Sequence, residues 1–213
     1  MCSNMSIRRN QTSKLRRMIM NNNNVISVLL TGIGGQGILL ASDLLTMVAM
    51  EEGYDVKKSE VHGMSQRGGS VESAVRFGKK VYSPILAPGM ADFLLSFEKL
   101  EALRTLDYLN DNGLIVVNDY KFDPLPVAAG LAEYPGDIID RIKKYAKKVF
   151  VVDGMSVALR AGSMKVMNVV LIGAISKFLP FKNDAWLKVI KKRVPEKYVE
   201  LNIKAFKLGS ELV

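Results

Sequence analysis

Cysteine and histidine are almost absent from the sequence, which has one of each, Cys2 and His62. A [4Fe–4S] cluster takes about four thiolates and a structural zinc site about four Cys or His ligands, so we expect this chain to hold no metal. A lone cysteine also excludes an internal disulfide framework, and the basic N-terminus is not followed by an apolar signal core. Both features indicate a cytoplasmic protein.

Long apolar runs are also missing. The richest stretch, Val166 to Leu179, is interrupted by Asn168, Gly173, Ser176 and Lys177, and it falls short of the roughly 18 apolar residues that a membrane helix needs. Hydrophobic residues make up 48% of the chain and charged residues 24%, which is ordinary for a folded domain. A chain of 213 residues is long enough for one α/β domain and short for two.

The net charge of +9 is confined to the two ends of the chain. Residues 1–24 carry five basic side chains and no acid, residues 186–213 carry seven basic and three acidic ones, and residues 25–185 hold 18 of each sign. Nucleic-acid binding normally concentrates Lys and Arg on the folded domain, so no nucleic-acid partner is expected. We predict a flexible basic extension over residues 1–24 and one domain over residues 25–213.

Short apolar runs alternate with helical patterns along the chain. Val25 to Leu30 predicts a strand buried on both faces, and a glycine turn then leads to a helix over Ile38 to Glu52. Further strands and helices are predicted by the same patterns, with an antiparallel or edge strand at 70–77: strands at 54–61, 70–77, 93–97, 114–117 and 149–152, and helices at 99–109, 138–147, 164–179 and 185–210. This order predicts an α/β fold, a three-layer αβα Rossmann-like domain whose sheet is mainly parallel and possibly mixed.

The turn after the first strand satisfies G-x-G-x-x-G through Gly32, Gly34, Gly35, Gln36 and Gly37. Between a buried strand and a helix, such glycines let backbone N–H groups approach a phosphate at the positive end of the helix. The alternative is a tight connection whose glycines serve packing alone. A dinucleotide enzyme also needs an acidic residue about 20 residues further on. Here Glu60 follows Lys57 and Lys58, which supports NAD binding weakly and is more typical of a solvated edge strand.

A second glycine-rich segment, residues 60–70, carries many polar groups in a short loop, a density typical of a functional site. Arg67 beside two glycines offers a fork of donors for a phosphate, a carboxylate or an acidic partner. The alternative is that His62 and Arg67 tie the loop to its own backbone. No catalytic residue is assigned, and the candidate binding residues in this segment are Glu60, His62, Ser65, Gln66, Arg67, Gly68 and Gly69.

Three residues outside these loops have structural explanations. Asp153 precedes Gly154 in a turn that loop geometry accounts for. Asn168 lies in an apolar helical stretch, and we expect it to bond to a loop. Gly173 lies in the same stretch, where it permits close packing.

Three segments together resemble the γ-type domain of the 2-oxoacid:ferredoxin oxidoreductases: 32–37 (GIGGQG), 60–70 (EVHGMSQRGGS) and 167–174 (MNVVLIGA). The chain is most similar to the short β subunits that act on indolepyruvate, over about residues 25–210. Residues 1–24 lie outside the pattern.

The resemblance implies a subunit of an enzyme that decarboxylates a 2-oxoacid, here indolepyruvate or another aryl pyruvate, to acyl-CoA and CO₂ while reducing ferredoxin. It places thiamine diphosphate and the iron–sulfur clusters in a larger partner subunit, so that this chain alone holds no cofactor and is inactive. For this chain it implies coenzyme A binding by Gly34, Gly35, Gln36, Ser65, Gln66 and Arg67. The isolated chain is expected to be a monomer or a homo-oligomer.

Two other function classes stay open from the sequence. The first is a stand-alone NAD(P)- or flavin-binding oxidoreductase that uses the same glycine turn. The second is a regulatory or scaffold protein that kept the fold and lost the ligand.

Overall fold

A computed structural model of the chain describes residues 25–63 and 68–213. The predicted extension 1–24 and the loop residues Met64 to Arg67 lie outside the described residues. The strands are β1 (Ile26–Ile33), β2 (Asp55–His62), β3 (Ser70–Gly78), β4 (Ala91–Ser96), β5 (Leu109–Asn118) and β6 (Lys148–Val152). The helices are α1 (Ile38–Glu51), α2 (Lys99–Arg104), α3 (Leu125–Ala128), α4 (Ile138–Tyr145), α5 (Gly154–Ala161), α6 (Met167–Ser176), α7 (Asn183–Arg193) and α8 (Val199–Ser210).

The six strands form one mixed sheet in the order β2-β3-β1-β4-β5-β6. β1, β4, β5 and β6 run parallel, whereas β3 is antiparallel to both of its neighbours. The predicted mixed sheet is therefore confirmed. β3 is the predicted antiparallel strand, but it lies in the interior of the sheet. The β2–β3 hairpin adds to one side of the parallel strands, so β2 forms the edge.

Helices cover both faces of the sheet, which confirms the three-layer αβα architecture. All eight residues of β1 are buried, as expected for a strand sandwiched between two helical layers. One apolar cluster joins the sheet to α1 and α5 through α8, and a second lies under α2 and α4.

α6 is buried along its whole length because glycines let α8 pack directly on it. A Cβ added to Gly173 would lie 2.3 Å from the carbonyl oxygen of Phe206, and one added to Gly209 would lie 2.0 Å from that of Val170. The predicted packing role of Gly173 is confirmed. Among the described residues, no helix is long and apolar enough to cross a bilayer.

The strand order produces a switch point between β1 and β4. The helix after β1 packs on one face of the sheet and the helix after β4 packs on the other, so the two connections diverge at the carboxyl edge of adjacent parallel strands. Open α/β sheets bind their ligands in the crevice at this position. The glycine turn that follows β1 lies there.

Candidate functional site

The first glycine turn is closed by its own glutamine. Gln36 donates its backbone N–H to the carbonyl of Ile33 at 3.1 Å, and Ile33 donates its N–H to Oε1 of Gln36 at 2.8 Å. Gly35 and Gly37 have φ values of +101° and +80°, which L side chains rarely adopt. The oxygen of Gln36, a predicted binding residue, is thus engaged by the turn, and its Nε2 is buried without a partner among the described residues.

Among the described residues, no side chain caps the N-terminus of α1, and the first turn of this helix contains no acidic residue. The first N–H groups of a helix have no partner within the helix, and the helix dipole places partial positive charge there. The turn therefore presents a positive, backbone-lined end that can receive an anion.

Asn168 of α6 holds the end of this turn. Its Nδ2 donates to the carbonyl oxygen of Gly37 at 3.3 Å, and the residue is 4% exposed. A Cβ on Gly37 would lie 2.4 Å from the same Nδ2. The prediction that Asn168 bonds to a loop is confirmed, and both the positive φ and this contact favour glycine at position 37.

The second glycine loop meets the first. The N–H of Gly34 donates to the carbonyl of Gly69 at 2.8 Å, and the N–H of Gly63 donates to the carbonyl of Ser70 at 2.9 Å. The structure thus brings predicted site residues from both loops into direct contact. Ser65, Gln66 and Arg67 lie between these anchor points, outside the described residues.

Glu60 and His62 lie on the edge strand β2, which β3 separates from β1. Glu60 binds Lys58 at 2.6 Å and lies 3.5 Å from Nε2 of His62, and both side chains are partly exposed. Lys58 is also bound to Asp43 of α1 at 2.6 Å. The interpretation of this segment as an edge strand is confirmed, and Lys58 is the ion-pair partner of Glu60.

A charge network extends from this edge strand to α7. Asp43 binds Arg193 at 2.9 Å as well as Lys58. Burial raises the pKa of the Asp43 carboxyl, but the hydrogen bonds from the two cations outweigh burial, so this pKa lies below its usual range. Burial lowers the pKa of Lys58, but Asp43 and Glu60 outweigh it and that pKa lies above its usual range. These ion pairs connect β2, α1 and α7.

Two buried glutamates, one at the N-cap of α2 and one in its first turn, support the site from the opposite side, and neither was predicted from the sequence. Glu98 and Glu101 are each 1% exposed. Glu101 accepts from Oγ of Ser70 at 2.5 Å and pairs with Arg104 at 2.7 Å. Since Ser70 is the first residue of β3, this carboxylate fixes the point at which the second glycine loop returns to the sheet.

Glu98 caps α2 and holds the loop after β5. One carboxylate oxygen accepts from the N–H of Glu101 at 2.9 Å, and the other accepts from the hydroxyl of Tyr134 at 2.6 Å and from the N–H of Phe122 at 3.2 Å. Burial raises the pKa of Tyr134 and the hydrogen bond to Glu98 raises it further, so the phenol stays protonated as a donor.

Glu72 of β3 lies near the same carboxylates. Burial raises the pKa of Glu72, and the negative charges of Glu101 and Asp107 raise it further. This carboxyl group is therefore harder to ionise in the fold than in water.

Two other polar residues at the carboxyl edge of the sheet stabilise the local backbone through hydrogen bonds. Asp153 caps α5 by accepting from the N–H of Ser156 at 2.9 Å, and the hydrogen bonds to Ser156 hold the pKa of that carboxyl below its usual range. Loop geometry thus explains Asp153, as predicted. Asn118, fully buried, accepts from the N–H of Gly154 at 2.9 Å and donates to the carbonyl of Phe97 at 3.1 Å.

Comparison with known proteins adds relatives that span most of the chain. The profile of a family described as pyruvate ferredoxin/flavodoxin oxidoreductase matches residues 27–212. The indolepyruvate oxidoreductase subunit IorB of Thermococcus kodakarensis is 43% identical over 190 residues, covering 86% of this chain and 93% of that protein. The subunit of the same name from Archaeoglobus fulgidus is 38% identical over 188 residues, again covering 86% and 93%.

Solved structures share the fold. The γ subunit of a keto/oxoacid ferredoxin oxidoreductase from Geobacter sulfurreducens superposes with a TM-score of 0.66 at 24% identity, covering 88% of this chain and 97% of that one. A 2-oxoglutarate:ferredoxin oxidoreductase from Magnetococcus marinus, solved with 2-oxoglutarate, coenzyme A and succinyl-CoA bound, gives a TM-score of 0.71 at 18% identity. The match covers 90% of this chain and 31% of that longer chain.

Proposed function

The chain belongs to the pyruvate ferredoxin/flavodoxin oxidoreductase family, and we propose that it is the small subunit of a CoA-dependent 2-oxoacid:ferredoxin oxidoreductase. The complete enzyme would convert a 2-oxoacid and CoA to acyl-CoA and CO₂ and pass two electrons to ferredoxin. Relatives at 38–43% identity named for indolepyruvate support an aryl pyruvate as the substrate class. In this proposal the chain contributes binding and positioning.

One observation supports a phosphate-binding role above the others. The glycine turn lies at the sheet's switch point, ends at an uncapped helix N-terminus, and is bonded to the second glycine loop through Gly34 and Gly69 at 2.8 Å. Coenzyme A carries a pyrophosphate and a 3′-phosphate, and both are anions that such backbone sites bind. Arg67 would add a charged donor from the second loop.

The redox and thiamine cofactors belong, in this proposal, to the larger subunit. A cluster needs about four thiolates, and the single Cys2 of this chain does not supply them. The described residues also contain no group of three or more His, Cys, Asp or Glu side chains arranged to hold a metal ion. The chain alone would then lack turnover, and its ligand groups would act only within the complex.

The phosphate site is tested by two variants in the reconstituted complex. Arg67→Ala removes the charged donor, and Gly35→Asp places a carboxylate where the anion would lie. Removing a charge-assisted hydrogen bond costs about 1.5–3 kcal/mol, so we expect Arg67→Ala to raise KM for CoA about 10- to 100-fold and to leave KM for the 2-oxoacid nearly unchanged. Arg141→Ala, which removes an arginine paired with Asp137 on α4, is the matched control.

The result that would contradict the phosphate site is an unchanged KM for CoA in both variants. The isolated chain is titrated in parallel with NAD(P)H and with flavin. Tight binding of either would favour the stand-alone oxidoreductase over the subunit.

A further inference from the structure

The segment that follows β5 is apolar but exposed. Residues 124–132 contain only proline, leucine, valine, alanine and glycine, and none of the nine is buried. Leu125 and Leu131 are 82% and 83% exposed. An ordered, contiguous apolar surface of this kind usually marks a site of protein interaction. We call it the apolar segment 124–132.

The apolar segment 124–132 is folded by its own backbone hydrogen bonds. The carbonyl of Pro124 accepts from Val127 and Ala128 at 2.9 Å, and the carbonyl of Pro126 accepts from Leu131 at 2.8 Å. The segment therefore keeps its shape without burying its side chains. A surface that is already ordered loses less conformational entropy when a partner covers it.

Two hydrogen bonds to one buried carboxylate fix both ends of this segment to the body of the domain. Phe122 precedes it and donates its N–H to the Glu98 carboxylate at 3.2 Å, while Tyr134 follows it and donates its hydroxyl to the same carboxylate at 2.6 Å. Glu98 is 1% exposed. One buried acid thus positions the whole projection.

The charged side chains before the segment are paired within the chain. Lys121 binds Asp123 at 2.9 Å, and Lys99 binds Asp119 at 2.8 Å. A partner that covers this region therefore meets an apolar centre bordered on this side by charges that already have partners, as in the core and rim of a stable interface.

The segment lies beside the candidate ligand site. It leaves the carboxyl end of β5, at the sheet edge where both glycine loops lie. A Cβ added to Gly68 of the second loop would lie 3.8 Å from the ring of Phe122. Phe122, two residues before the segment, thus lies against the second glycine loop, which places the start of the segment close to the candidate ligand site.

From this placement we propose that the apolar segment 124–132 is the docking surface for the larger subunit of the oxidoreductase. The inference rests on the proposed function, since it takes the larger subunit as the occupant. That occupant has to approach this edge to share a ligand with the glycine loops, whereas a second copy of this chain would bring no complementary site to it. In the Magnetococcus marinus enzyme the matched fold is 31% of the chain, so there the same fold is joined to a larger body.

The test is whether the double variant Leu125→Asp/Leu131→Asp still forms the complex. The variant is co-expressed with the larger indolepyruvate oxidoreductase subunit of the same organism. Leu125 begins α3, where an acidic residue suits the helix dipole, and Leu131 is in open solvent, so the isolated chain should keep its Tm within about 2 °C. Leu159→Asp is the matched control, because Leu159 is 55% exposed on α5, on the opposite face of the sheet. Affinity is measured by light scattering and by titration of purified subunits.

We expect the double variant to weaken the complex at least about 100-fold and Leu159→Asp to leave it unchanged. A double variant that assembles as tightly as the wild type overturns the docking proposal and leaves the proposed function intact. A homodimer that the double variant disrupts, with the heteromer unaffected, also overturns it and identifies a second copy as the occupant. A wild-type chain that forms no complex with the larger subunit overturns both proposals.

Discussion

Replacing Gly37 with alanine perturbs the end of the glycine turn in two separable ways. An L residue in the left-handed region costs about 1–2 kcal/mol, and φ at this position is +80°. The added Cβ would also lie 2.4 Å from Nδ2 of Asn168, so that side chain must move and give up its bond to the Gly37 carbonyl. A buried amide left without a partner costs about 1–3 kcal/mol.

The two costs sum to roughly 2–5 kcal/mol, which corresponds to a fall in Tm of about 5–15 °C for a domain of this size. Gly35→Ala is the matched control, because its φ is +101° but nothing lies within 4 Å of an added Cβ. It should cost the backbone strain alone, about 1–2 kcal/mol. Thermal and urea unfolding of both variants measure the difference.

A double-mutant cycle isolates the contact between the added Cβ and Asn168. Asn168→Ala removes the side chain that the new Cβ would strike, so the double variant with Gly37→Ala should be less destabilised than the sum of the two single variants, by about 1 kcal/mol or more. Equal stability of Gly37→Ala and Gly35→Ala, together with additive effects in this cycle, would refute the contact between the turn and α6.

Three further substitutions test other parts of the structure. Gly173→Ala should destabilise the fold by more than about 3 kcal/mol, because its Cβ would lie 2.3 Å from the Phe206 carbonyl oxygen; an unchanged urea midpoint would contradict the close α6–α8 packing. Asn118→Ala leaves two buried backbone groups unpaired and should cost about 2–4 kcal/mol, measured in the same way. Glu72→Gln tests the raised pKa of this carboxyl. The wild-type protein loses stability as pH rises through the folded-state pKa of Glu72, because the carboxyl then ionises. The variant should therefore be more stable than the wild type at pH 7, and this gain should vanish below about pH 4. A pH-independent difference would contradict the raised pKa of Glu72, which burial and the charges of Glu101 and Asp107 cause.

The first strand and the first helix could be predicted because their signals are local. An aliphatic run, a glycine turn and an apolar helix occur in order from Val25 to Glu52, and the structure places β1 and α1 there. The helix predicted over 99–109 ends at Arg104, and β5 already begins at Leu109. Local propensity does not reveal that the chain from Leu109 onward pairs with β4, because strand pairing depends on tertiary contacts.

The strand order was not predictable from the same signals. The β2–β3 hairpin could have stood alone or joined either edge of the parallel set. Its addition beside β1 follows from a register of eight residue pairs between β1 and β3, which is a long-range contact. This placement puts Glu60 on the edge strand, with β3 between it and β1.

Residues that support the candidate site were harder to find than the glycines. The glycine turn is visible in the sequence, but Glu98 and Glu101 look like ordinary helix-surface acids. Their partners, Ser70 and Tyr134, lie 31 and 36 residues away. Asn168 was expected to bond to a loop, yet its partner Gly37 is 131 residues distant. Contacts of that separation depend on tertiary structure and are not visible in local sequence patterns.

The most direct test of the proposed function is an assay of the complex purified through a tag at the C-terminus. We expect the wild-type chain to co-purify with a larger, cluster-containing subunit, and the complex to reduce ferredoxin only when an aryl pyruvate and CoA are both present. The separated small chain should show no turnover. Reduction of ferredoxin that does not depend on CoA, or oxidoreductase activity with NAD(P) or flavin in the separated chain, would contradict it.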